Sequence, residues 1–151
     1  ALLRLLGDPK MDLDFSALTG DETLESLQRT YPQLAWQCDA AIGASHPEQQ
    51  CVAAIAAING IPARYMTWFF AENRLRMLKL SYRAAYHQAL YQQLEAVYGA
   101  AVRGAGDEQN RVVDWRFPSG RLVMKAVVSE QGDNQLFWLA PGYAAERRDG
   151  Q

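Results

Sequence analysis

Apolar and polar positions alternate with a period of two along much of this chain, and one clear helical stripe interrupts the alternation. The run Tyr65-Met66-Thr67-Trp68-Phe69-Phe70 is aromatic and strand-favouring. Glu72-Asn73 follows as a turn, and 75–82 supplies the second arm of a β-hairpin. The apolar phase shifts within that arm: Leu75 and Met77 share one parity, Leu78, Leu80 and Tyr82 the other. A bulge near Met77-Leu78, or a strand buried on both faces, reconciles the two. Tyr86, Leu90, Leu94 and Val97 then recur at i, i+4, i+8 and i+11, which predicts a helix over 83–98 stopped by Gly99.

Three strand-like runs close the chain. Val113, Trp115 and Phe117 mark the first, Leu122, Met124, Ala126 and Val128 the second, and residues 136–139 the third. Pro118-Ser119-Gly120 and Gly132-Asp133-Asn134 turn the chain between them, and connections this short make antiparallel neighbours.

Upstream, Thr19-Gly20-Asp21-Glu22 has the form of a capping box, and Leu24, Leu27 and Tyr31 follow at helical spacing. A helix over 21–30, ended by Pro32, is expected. Residues 34–38 read as a short strand. Ser45-His46-Pro47-Glu48 has the same capping form, and Cys51, Val52, Ile55 and Ile58 continue on one helical face as far as Asn59-Gly60. This spacing favours a helix over 47–58, with a strand of small residues as the alternative. The sum is a single α+β domain over 1–151. Its antiparallel sheet has about five strands, a hairpin and then a three-stranded meander, covered on one face by two or three helices. Residues 1–18 and 141–151 are expected to be irregular or partly mobile.

Composition supports a globular core, with 49% hydrophobic and 21% charged residues. A net charge of −2 provides no electrostatic footprint for nucleic acid, so none is expected as a partner. No apolar run approaches the roughly 18 residues of a transmembrane span. Cys38 and Cys51 form an even pair at short separation, which predicts one disulfide worth about 3 kcal/mol. A disulfide implies the periplasm or the outside of the cell. The first residue, Ala1, fits either a signal peptide cleaved after a small residue or a chain boundary.

The search for chemistry is mostly negative. His46 sits beside Ser45 with no Gly-x-Ser-x-Gly turn, and His87 follows Tyr86 at the edge of the helical stripe. The two histidines and two cysteines lack the paired spacing of a metal site, so no metal is expected. Asp12-Leu13-Asp14 begins like a cation loop, but Ala17 and Thr23 stand where a calcium loop needs Gly and Glu. No phosphate cradle occurs around Gly104-Ala105-Gly106. Glu72, Asp114 and Glu130 are not singled out by any spacing. No catalytic residue and no cofactor are expected.

What remains is the aromatic arm. If one sheet face is left open to water, the arm Tyr65, Trp68, Phe69 and Phe70, with Arg64, Arg74 and Arg76 nearby, forms a binding patch. Otherwise these aromatics are core. Alternation of Arg74 and Arg76, and of Arg116 with Lys125, suggests a basic stripe on one face. The expectation is a non-enzymatic secreted or periplasmic binding or accessory protein of the bacterial envelope, acting through protein contact. One alternative is an inhibitor or immunity-type protein that plugs an enzyme with the loop at 104–110 or at 39–50. Another is a small enzyme or small-ligand carrier that sets His46 or His87 against a carboxylate in a pocket.

Overall fold

A computed structural model of the chain describes residues 7–40 and 48–143. The first residues with their expected processing site, His46, part of the 39–50 loop, and 144–151 of the expected tail lie outside the described residues. In chain order the elements begin with β1 (Lys10–Met11), α1 (Leu24–Thr30), β2 (Gln37–Ala40), β3 (Glu48–Ala54), β4 (Ala57–Ile58) and β5 (Ile61–Pro62). The hairpin β6 (Tyr65–Ala71) and β7 (Arg74–Tyr82) follows, then α2 (His87–Tyr98). The chain continues with β8 (Val102–Arg103), β9 (Val112–Phe117), β10 (Gly120–Lys125) and β11 (Asn134–Leu139).

These strands overturn the expected sheet of five. Eight of them form one antiparallel sheet in the order β2-β3-β6-β7-β11-β10-β9-β8, and β1, β4 and β5 form a separate three-stranded sheet. The protein is mostly sheet, with two α-helices among the described residues.

Much of the difference lies at 47–58, which is not a helix. Cys51, Ala53 and Ile55 are buried while Val52 and Ala54 are half-buried, a period of two. β3 is paired on both sides, with β2 from Gln37↔Val52 to Ala40↔Gln49 and with β6 from Glu48↔Ala71 to Ala54↔Tyr65. Two ladders satisfy its backbone groups, and tertiary pairing of this extent overrides a weak local preference. Asn59 and Gly60 take φ of +50° and +81°. They make the two-residue turn of the β4–β5 hairpin, where Ile58 faces Ile61, rather than a helix stop.

Other boundaries also move for local reasons. The helix expected from residue 21 starts at Leu24, because Thr23 and Ser26 form the reciprocal capping box. The Glu22 carboxylate instead accepts from the Thr19 and Gly20 N–H groups at 2.9 and 2.8 Å, closing a turn ahead of the helix. In the hairpin, Glu72 and Asn73 have φ of +52° and +59°, as a type I′ turn requires. The register runs Phe69↔Met77 and then Phe70↔Leu75, so the extra residue is Arg76, slightly upstream of the expected bulge. It lets Leu75 share a face with Leu78. On α2, His87, Leu90 and Leu94 are buried, whereas Val97 is 64% exposed. A 3₁₀ turn at Ala84–Tyr86 leads into the helix, and the buried stripe runs from His87 rather than Tyr86.

The strand order contains a repeat of topology that the sequence does not display. α1 is followed by β2, β3, β6 and β7, which are sheet neighbours in that order; α2 is followed by β8, β9, β10 and β11 likewise. The last strands of the two units, β7 and β11, pair antiparallel at the middle of the sheet.

Cys38, Cys51, Trp68, Leu78, Trp138, Leu122 and Trp115 are successive direct partners across the sheet and so share one face, the inner one. Trp36 and Tyr31 lie over Trp68, with ring centroids 5.0 and 6.1 Å away. At the other end Tyr91 of α2 meets Trp115 edge-on at 5.7 Å. Tyr98 meets Phe117 at 4.9 Å. The ring and core contacts of both helices therefore fall on the inner face.

Candidate binding face

The side chains between those inward positions point the other way. On β6 the alternation puts Met66, Trp68 and Phe70 inside and Tyr65, Thr67 and Phe69 outside. One outer row runs Gln50, Phe69, Met77, Leu139, Arg121, Arg116; the next runs Val52, Thr67, Lys79, Phe137, Val123, Asp114. Phe69, Phe137, Leu139 and Val123 are half-buried, and Met77 is 7% exposed between its neighbours. The centre of this face is apolar, with Lys79 set into it and two arginines at the β9–β10 side.

Those arginines are a problem the strand solves locally. Arg116 and Arg121 are direct partners across β9 and β10, and like charges placed so repel. Asp114 lies between them, with its Oδ2 3.5 Å from Arg116 Nε and 3.7 Å from Arg121 Nη1. Its Oδ1 is buried without a hydrogen-bond partner among the described residues. One carboxylate offsets two guanidiniums, so this side of the face keeps a positive balance.

The residues of the expected patch are divided by the fold. Trp68 and Phe70 are buried in the inner core. Arg76 is half-buried and donates from Nη2 to the Gly20 carbonyl at 2.7 Å and from Nε to the Leu75 carbonyl at 3.1 Å, holding the loop before α1. Arg74 is exposed and lies 3.8 Å from Asp21. Arg64 and the 42% exposed Tyr65 stand together at one end of the outer face, the guanidinium 5.8 Å from the ring centroid. Arg64 also pairs with Asp133 at 3.3 Å. Phe69, the fourth aromatic of that arm, lies half-buried on the outer face. Phe137, Lys79 and Arg121 were not anticipated as part of a site.

The groups singled out for acid–base or metal chemistry are otherwise engaged. His87 is buried, with Nδ1 2.8 Å from the Tyr82 hydroxyl and Nε2 3.4 Å from the Ala126 carbonyl. Burial pushes the Tyr82 phenol well above its ordinary range. The ring brackets α2 to β7 and to the end of β10. No cluster of three metal-capable side chains occurs among the described residues. A groove of about 380 Å³ runs beside α2, lined by Asp12, Asp14, Asn59, Gln93, Val97 and Tyr98. Several of its polar groups hold the fold. Asn59 clamps both backbone groups of Leu13, and Gln93 donates to the Asn59 carbonyl at 2.8 Å. Tyr98 donates to Asp14 at 2.8 Å and accepts from the Phe15 N–H at 2.9 Å.

Cys38 and Cys51 are joined as a disulfide between directly opposed residues of β2 and β3. No helix among the described residues is long and apolar enough to cross a membrane. Fold and face together define an antiparallel β-sheet protein with one face packed by helices and one carrying an apolar, basic surface. Comparison with known protein families, characterised proteins and solved structures finds no match.

Proposed function

We propose that this chain is a non-enzymatic secreted or periplasmic binding protein that meets a protein partner through the outer face of its large sheet. The observation that carries the reading is the composition of that face. Phe69 and Phe137 flank an aliphatic centre, and Lys79, Arg116 and Arg121 stand in or beside it. Aromatic and arginine side chains are the residues that dominate protein-binding hot spots. A small ligand prefers an enclosed pocket, which an open sheet face does not supply. The disulfide supports an oxidising compartment, where such a bridge persists.

The test is site-specific photo-crosslinking in the native envelope fraction. A photoreactive residue at position 69 or 137 should give adducts of discrete mass. One at Ala89, exposed on α2, serves as the control. Adducts no more frequent from the sheet than from Ala89 would refute the reading. Free thiols at Cys38 and Cys51 in natively isolated protein would refute the compartment.

A further inference from the structure

We propose that the partner seated on the outer face is a second copy of this chain, related by a two-fold axis that lies along the β7–β11 seam. The proposal rests on the reading of the outer face as a protein-binding surface and names its occupant.

The argument is one of complementarity. β7 and β11 are the two central strands of the eight. Rotation about an axis parallel to them lays β7 over β11 of the other copy, β6 over β10 and β3 over β9, while each row keeps its level along the strands. Met77 then faces Leu139, its own row partner, in the other copy. In the next row Lys79 faces Phe137. One strand further out, Phe69 of β6 faces Arg121 of β10. Lys125 lies one residue beyond the Met124↔Leu136 pair, which brings it level with Tyr65 on the other copy. The axis therefore sets each outer-face aromatic, Tyr65, Phe69 and Phe137, against a cation, and it does so twice. Cations over aromatic faces attract once water is excluded. Strands of the two copies run in line, the aligned mode of sheet-on-sheet packing at about 10 Å.

Size sets the strength. From β3 to β9 the face spans about 24 Å, at about 4.8 Å per strand, and its three rows span about 14 Å. With side-chain margins this covers about 600 Å² per copy, at the low end for specific association. The dimer should be reversible, with a dissociation constant in the micromolar range.

Sedimentation velocity on the full disulfide-bonded chain, from about one to several hundred micromolar, tests this. The wild type should pass from monomer to dimer. Phe69→Lys sets like charges against Arg121 of the other copy and should weaken the dimer by at least about tenfold. Phe69→Glu sets opposite charges there and should dimerise within a few-fold of wild type. Both variants should fold and melt like each other. Should Phe69→Lys fail to fold, Lys79→Glu, which removes the cation facing Phe137, carries the same expectation of a weakened dimer. A wild type that stays monomeric throughout, or equal loss in Phe69→Lys and Phe69→Glu, overturns the proposal. A monomer that still crosslinks to another protein from position 69 overturns only the second copy as occupant. A monomer that crosslinks to nothing overturns the binding-face reading too.

Discussion

Trp68 lies directly across the ladder from Cys51, itself paired and bonded to Cys38, so the disulfide is fastened to the row of large side chains that forms the inner core. It also closes the edge of the sheet. β2 is one of the two edge strands and is held by only four residue pairs.

Removing the bridge should therefore cost stability without changing the fold. The double variant Cys38→Ala/Cys51→Ala frees the 13-residue separation. It should lose about 3 kcal/mol in urea denaturation, by the entropy that the bridge takes from the unfolded chain. An unchanged midpoint would show that β2 is anchored by other means.

Trp68→Ala should be among the costliest single changes. The side chain is fully buried and packs on Trp36 and Tyr31. Truncation removes its transfer energy and leaves a cavity, about 3–5 kcal/mol together. Phe69→Ala, one residue along on the half-buried outer face, should cost clearly less. Equal losses in chemical denaturation would contradict the assignment of the two faces.

Gly120 opens β10 where no side chain fits. A Cβ there would stand 2.7 Å from the Leu139 carbonyl oxygen and 2.8 Å from the Trp138 ring. Neither neighbour gives way easily, one being backbone and the other a core tryptophan. Gly120→Ala should cost about 1–3 kcal/mol, the range of overpacked cores. A thermal melt unchanged from wild type would place the strand differently.

Tyr98 makes stability depend on alkaline pH. Burial, and then its hydrogen bond to Asp14, push the phenol up from 10.0 to about 12. The folded state thus prefers the neutral phenol. Its contribution is complete below pH about 10 and is lost as pH rises toward about 12. Asp14 runs the opposite way. The Ser16 and Tyr98 hydroxyls lower its pKa, so its contribution is present above 3.8 and fades as pH falls through the lowered value. Tyr98→Phe removes two hydrogen bonds and should cost about 1–2 kcal/mol at neutral pH. It should also flatten the slope between pH about 10 and about 12, read from denaturation midpoints beside tyrosinate absorbance. A slope equal to wild type would assign that dependence to other tyrosines.

Several elements were legible because two independent signals agreed. The hairpin at 63–82 combined an aromatic first arm with a two-residue turn, and Glu72-Asn73 indeed makes it. The last three strands were marked by strand-favouring runs between short turns, and the cysteines paired as their number suggested. Residues 47–58 misled because Ala53, Ala54, Ala56 and Ala57 carry little hydrophobic contrast. That left Val52, Ile55 and Ile58 to imitate a helical face. The candidate site was half legible for a related reason. β6 is apolar on both faces, so alternation separates Trp68 from Phe69 without telling which face the helices cover. The contribution of β10 and β11 to the outer face depends on which strands become neighbours, and β7 meets β11 across more than fifty residues of chain.

The seam between β7 and β11 also makes the molecule divisible. The polypeptide passes from one helix-plus-meander unit to the other once, between Tyr82 and His87. A single nick there would leave each fragment its own helix and four strands of the large sheet. The six pairs of the β7–β11 ladder, with the bonds of Tyr98 to Asp14 and of Gln93 to Asn59, would then join the two fragments. Whatever held the two pieces together after such a cut would be non-covalent, since the one disulfide lies wholly within the first of them.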